Sequence, residues 1–162
     1  MRLVVPGSVR MNRGAYVLKD IVRMCKEQNI TDLVVLHEHK GEPDGMIVSH
    51  MPFGPTAYFG LSNVILRHDL DSKPETMSEQ FPHLIFDGFS TWLGDRLADI
   101  IKYVFPLPKV DSTWVMTFSN KDDIISFRHH VYKKESHKDV ALWEIGPRFE
   151  MKPYQIILGT LD

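Results

Sequence analysis

The sequence predicts an α/β (α+β) fold built from two pseudo-repeated halves. Each half carries one amphipathic helical stretch followed by several short apolar or alternating runs. A polar, acidic crossing at about residues 71–82 separates an N-half of about 1–70 from a C-half of about 83–162. A chain of 162 residues with 43% hydrophobic content can bury one core, or two small ones. The repetition is one of pattern, without residue-level self-similarity.

Residues 3–5 form a short apolar run closed by Pro6 and Gly7, a stub strand at most. Val17, Leu18, Ile21, Val22 and Cys25 recur at three- and four-residue steps, which predicts the first helix, with Asn29 as its stop. Residues 33–36 read as a buried strand and residues 46–48 as its hairpin partner. The turn between them is expected in residues 37–45, which end Glu-Pro-Asp-Gly. Residues 52–55 break the chain at two prolines, and residues 56–67 read as a longer strand. After the crossing, Ser90 or Thr91 caps a second helix whose stripe is Leu93, Leu97, Ile100, Ile101 and Val104. Pro106 and Pro108 end it. Strands are expected over 113–118, 124–132, 140–145 and 151–158, with a turn at 119–123 and a polar tip at 133–139.

The formal net charge of −2 does not announce a nucleic-acid binder, but the charge is unevenly spread. Residues 2–26 hold six bases and one acid, residues 71–99 six acids and two bases, and residues 128–138 four bases and one acid. His129, His130 and His137 would add charge to the last stretch below about pH 6.5. The single cysteine excludes an internal disulfide, no signal-peptide pattern opens the chain, and no apolar run approaches the roughly 20 residues of a spanning helix. These features predict a soluble protein of a reducing compartment.

Catalytic chemistry finds no support. His37, His39 and His50 invite a metal, but three or four converging ligands are needed, and the only thiol, Cys25, lies in a helix's apolar stripe. No Gly-x-Ser-x-Gly elbow or phosphate-binding Gly-rich loop is present, and Asp122 and Asp123 fall where turn chemistry alone explains them. The informative stretch is residues 126–134, SFRHHVYKK. Strand alternation puts Ser126, Arg128, His130 and Tyr132 on one face and Phe127, His129 and Val131 on the other. One face can pack while the other offers guanidinium, imidazole and phenol, groups that bind phosphate or stack on bases. The Gly146-Pro147 break is expected to aim Arg148 differently from its strand neighbours.

Longer motifs narrow the reading. Residues 144–160, EIGPRFEMKPYQIILGT, resemble the closing signature of the Brix-domain ribosome-assembly proteins. Similar matches run along most of the chain: NRGAYVLKDIV from Asn12, TDLVVLHEHKGEPDG from Thr31, PFGPTAYF from Pro52, LSNVILRHD from Leu61, FPHLIFDGFSTWLGDR from Phe81 and ISFRHHVYKK from Ile125. The last of these and the HEHKGEPDG segment bring the resemblance nearest the branch that acts in the U3 small nucleolar ribonucleoprotein, ahead of large-subunit or archaeal-type members.

The resemblance implies a Brix domain over 1–162, each half similar to the anticodon-binding domain of class II aminoacyl-tRNA synthetases. With nine residues before Arg10, the first half is expected to lack part of its sheet. It further implies a nucleolar, non-enzymatic RNA-binding factor that assists snoRNA–pre-rRNA pairing and pre-rRNA processing. The implied partners are U3 small nucleolar RNA, pre-rRNA, an Mpp-ten-type processome protein and an S4-like small nucleolar ribonucleoprotein subunit. No cofactor, metal, membrane or small-molecule substrate is implied. Pattern and resemblance together select Arg128, His130, Lys133 and Lys134 as RNA-contact candidates, with Arg13 and Arg148 as weaker ones. The alternative is a scaffold in the same particle that holds a partner's peptide on a strand edge or apolar groove.

Overall fold

The structure, a computed structural model, describes residues 4–71, 79–136 and 138–161. Helix α1 (Leu18–Glu27) leads into strands β1 (Asp32–His39), β2 (Glu42–His50) and β3 (Thr56–Ile65). Strand β4 (His83–Asp87) precedes helix α2 (Trp92–Lys102), and β5 (Trp114–Lys121), β6 (Ile124–Lys134), β7 (Val140–Glu144) and β8 (Arg148–Ile157) follow. All eight strands form one sheet in the order β1-β2-β3-β8-β6-β5-β4, with β7 also paired to β6. Only β4 and β5 run parallel; every other pair is antiparallel.

Sequence reasoning places both helices and most strands, and errs where local signals compete. The first hairpin turns at Lys40 and Gly41, both at positive φ, rather than through the whole of residues 37–45. Glu42, Pro43, Asp44 and Gly45 are strand, and Pro43 stands opposite Glu38 beside a register shift that tolerates its missing donor. The second hairpin turns at Asp122 and Asp123, again both at positive φ, so β5 runs on to Lys121. Strand β4 escapes the sequence reading altogether. Its five residues show no clean alternation, and only a parallel neighbour reached through α2 gives them a ladder. Val4 is buried but lies in a turn, not a stub strand. Most of the acidic crossing, residues 72–78, lies outside the described residues.

One face of the sheet is closed by α2. Thr91 caps it, its hydroxyl accepting from Gly94 N at 3.0 Å, and Leu97, Ile100 and Ile101 enter the core. The helix ends at Lys102, before either proline, and Leu93 stays largely exposed. Beneath it, register creates a row that no single segment reveals. Phe86, Phe118, Phe127 and Phe149 are direct cross-strand neighbours on β4, β5, β6 and β8. Their ring centroids lie 5.1, 5.1 and 4.7 Å apart, within aromatic contact. The eight-residue pairing of β3 with β8 then joins the two halves into one sheet.

Candidate nucleic-acid interface

Strand β6 follows the expected alternation. Ile125, Phe127 and His129 are fully buried on the α2 side, while Ser126, Arg128, His130 and Tyr132 lie half-buried on the opposite face. Arg128 is not a free guanidinium: its Nη1 donates to Phe127 O at 2.8 Å and to Phe149 O at 3.5 Å. Tyr132 likewise donates its hydroxyl to Ser112 O at 3.2 Å. His129 donates through Nδ1 to Gly146 O at 3.1 Å and meets the Trp114 ring at 4.9 Å between centroids. Burial holds its imidazole down to a pKa of about 4, so it stays neutral and adds no charge to the basic stretch near neutrality. His137 lies outside the described residues.

Beyond Tyr132, β6 has no β5 partner. The last bond on that side runs from Tyr132 N to the O of Thr113, the residue before β5, at 2.9 Å. Lys133 and Lys134 therefore extend with Ala141 and Val140 as a two-stranded arm, Lys133 opposite Ala141 and Lys134 opposite Val140. Alternation sends Lys134 to the face of Arg128 and His130 and Lys133 to the other, so these candidates do not all share one face. Lys133, Lys134 and Lys138 are exposed and pair with no carboxylate among the described residues. At the tip, Glu135 N donates to Asp139 O at 3.0 Å and Ser136 Oγ donates to the Asp139 carboxylate at 2.8 Å. Sequence reasoning counted Lys138 in the basic stretch but did not select it.

Arg148 stays on the outer face, correcting the expectation that the Gly-Pro break re-aims it. Glu144 stands opposite His130, and the two residues added at the bulge preserve the period of two, so Arg148 Nη1 reaches back to Glu144 Oε2 at 3.3 Å. Gly146 is required at this bulge: its φ is +60°, and a Cβ there would meet Leu70 Cδ1 at 2.7 Å. Arg13 is exposed in the segment before α1, where its Nε donates to Tyr16 O at 3.0 Å; it does not join the β6 surface by any contact among the described residues.

The histidines of the first hairpin separate. His37 bonds Asp44 at 2.5 Å and holds that carboxyl below its usual pKa, whereas His50 sits at the far end of the hairpin against Asp32. No group of three or more His, Cys, Asp or Glu side chains converges on a metal-sized site among the described residues. Cys25 is buried and its thiol pKa is raised by desolvation, the state of a packing residue rather than a nucleophile.

The sequence pattern of the Brix domain matches residues 1–155. The chain belongs to the Brix-domain family. A rat protein named U3 small nucleolar ribonucleoprotein protein IMP4 is 59% identical over all 162 residues, as is its human counterpart; the fission yeast protein of that name is 50% identical over 163 aligned positions. The alignments take in the whole of this chain but about half of each relative's length (55–56%). A crystal structure of a probable ribosomal biogenesis protein from Aeropyrum pernix matches this Brix fold with a TM-score of 0.64. It is 16% identical, with 96% of this chain and 88% of that one covered, a likeness of fold alone.

Proposed function

We propose that this Brix-domain chain is a non-enzymatic RNA-binding factor of ribosome biogenesis acting within the U3 small nucleolar ribonucleoprotein, in the nucleolus. The observation that carries the reading is the 59% identity along the full chain to proteins named for that particle. The reading extends to assistance in snoRNA–pre-rRNA pairing, with an Mpp-ten-type protein and an S4-like subunit as protein partners. The surface assigned to RNA is the outer face of β6 and the arm beyond it: Arg128, His130, Lys133 and Lys134, with Arg148 beside them and Arg13 apart. Exposed lysines and a half-buried arginine supply the charge-assisted bonds that phosphate needs.

The test replaces Arg128, His130, Lys133 and Lys134 together by Ala and measures affinity for U3 small nucleolar RNA and pre-rRNA alongside thermal unfolding. A folded variant should bind at least tenfold more weakly at 50 mM salt, with a shallower salt dependence. Wild-type affinity and slope in the folded variant would remove RNA binding from this surface. The scaffold reading would then lead, favoured by the outer edge of β1, which has no strand partner among the described residues.

A further inference from the structure

We propose that the β6–β7 arm holds RNA through phosphates alone, with Lys133, Lys134 and Lys138 as its contact residues and no base read out. This rests on the RNA-binding reading above and names which part of that surface makes contact and with what chemistry.

Most of the larger groups able to recognise a base are already engaged or covered, His130 on the half-buried sheet face apart. Arg128 spends Nη1 on two backbone carbonyls, Arg148 faces Glu144, Tyr132 donates its hydroxyl to Ser112 O, and His129 is buried. A guanidinium that already bonds its own strand must break those bonds or use its remaining donors to form the planar, two-pronged contact with a guanine edge. The arm lysines are in the opposite state, exposed and without a carboxylate partner among the described residues. Lysine is a compact point charge on a flexible stem, suited to a phosphate and less discriminating at a base edge than the planar guanidinium.

The placement fits that chemistry. Lys133 and Lys134 leave opposite faces of a ribbon only two strands wide, and Lys138 stands at its tip. The tip is held by hydrogen bonds among Glu135, Ser136, Lys138 and Asp139, and the Asp139 carboxylate accepts from the Ser136 hydroxyl. Those four residues are therefore tied to one another before RNA arrives. Charge on both faces and the end of a projecting arm meets phosphates from several directions, whereas a base-reading site needs its donors converging on one plane.

The experiment compares three forms of the 162-residue chain: unaltered, Lys133→Ala/Lys134→Ala/Lys138→Ala, and Arg128→Ala/His130→Ala. Each is titrated with three RNAs of equal length and unrelated sequence between 50 and 200 mM salt, and its melting temperature is recorded. The unaltered chain should bind the three RNAs within about threefold of one another. The arm variant should melt as the unaltered chain does, lose roughly tenfold or more for every RNA, and lose two to three units of log–log salt slope, near one per phosphate contact. Lys138→Ala alone, at the exposed tip, should lose up to one unit and gives the same reading if the triple variant melts early. The sheet-face variant should melt lower with a smaller change in affinity. Loss that differs by more than tenfold among the RNAs would overturn the phosphate-only inference while leaving RNA binding in place, as would loss confined to the sheet-face variant. Wild-type binding by both variants would overturn the inference together with the RNA assignment of this surface.

Discussion

Two buried or half-buried histidines make stability depend on pH in opposite directions. His50 bonds the Asp32 carboxylate through Nδ1 and lies 2.9 Å from Ile100 O through Nε2, fastening the β1–β2 end to α2. The hydrogen bond to Asp32 raises its pKa, outweighing desolvation. A base with a raised folded pKa stabilises fully below its ordinary value of about 6.5 and loses that contribution as pH climbs through the folded value. His129 is the reverse case: buried and held at about 4, it contributes fully above about 6.5 and loses stability as pH falls from there towards 4. Together they should place a maximum near pH 6.5. Urea unfolding at pH 5, 6.5 and 8 checks this. His129→Gln should flatten the acid limb and His50→Gln the alkaline one, and an unchanged acid limb in the former would contradict the buried neutral imidazole. The role of His50 was not readable from sequence, where it stood among candidate ligands, whereas strand alternation already set His129 on the packing face.

At the scale of elements, α2 shows what periodicity can and cannot give. The spacing of Leu97, Ile100 and Ile101 selects the buried face, and all three are at most 4% exposed. The same stripe includes Leu93, which is 43% exposed although its neighbour Gly94 is buried. Leu97→Ala should therefore cost about 2–5 kcal/mol in chemical unfolding, through lost burial and the cavity left behind. Asp95→Asn and Asp99→Asn, on the exposed face, should stay within about 0.5 kcal/mol of the parent. A Leu97→Ala protein as stable as its parent would remove this face from the core. Strand β4 was lost to sequence reading for the complementary reason. An edge strand in parallel pairing carries neither a hairpin turn nor a clean alternation, so its signal resides in its partner.

For the whole molecule, the phenylalanine row and the β3–β8 seam predict one cooperative unit. Trp92, Trp114 and Trp143 all lie in the second half, so tryptophan fluorescence reports on that half, while far-UV circular dichroism reports on both. The two transitions should coincide in urea, and Phe127→Ala, at the middle of the row, should lower both together by about 3–5 kcal/mol. Separated transitions would show that the halves unfold independently.

The sequence by itself determined the class of fold, both helices, the alternation of β6 and the length of chain over which the family resemblance holds. These are local properties, written in residue spacing and in uninterrupted motifs. The tertiary structure decided what spacing leaves open: which strands are neighbours, that four phenylalanines from four strands meet in one row, and that His50 answers to Asp32 instead of His37. It also divided the basic stretch into an arm of exposed lysines and a sheet face whose arginines bond their own chain. Charge and periodicity act along the chain, but hydrogen-bond partners and burial depend on segments far apart in sequence, which only the register of the sheet brings together.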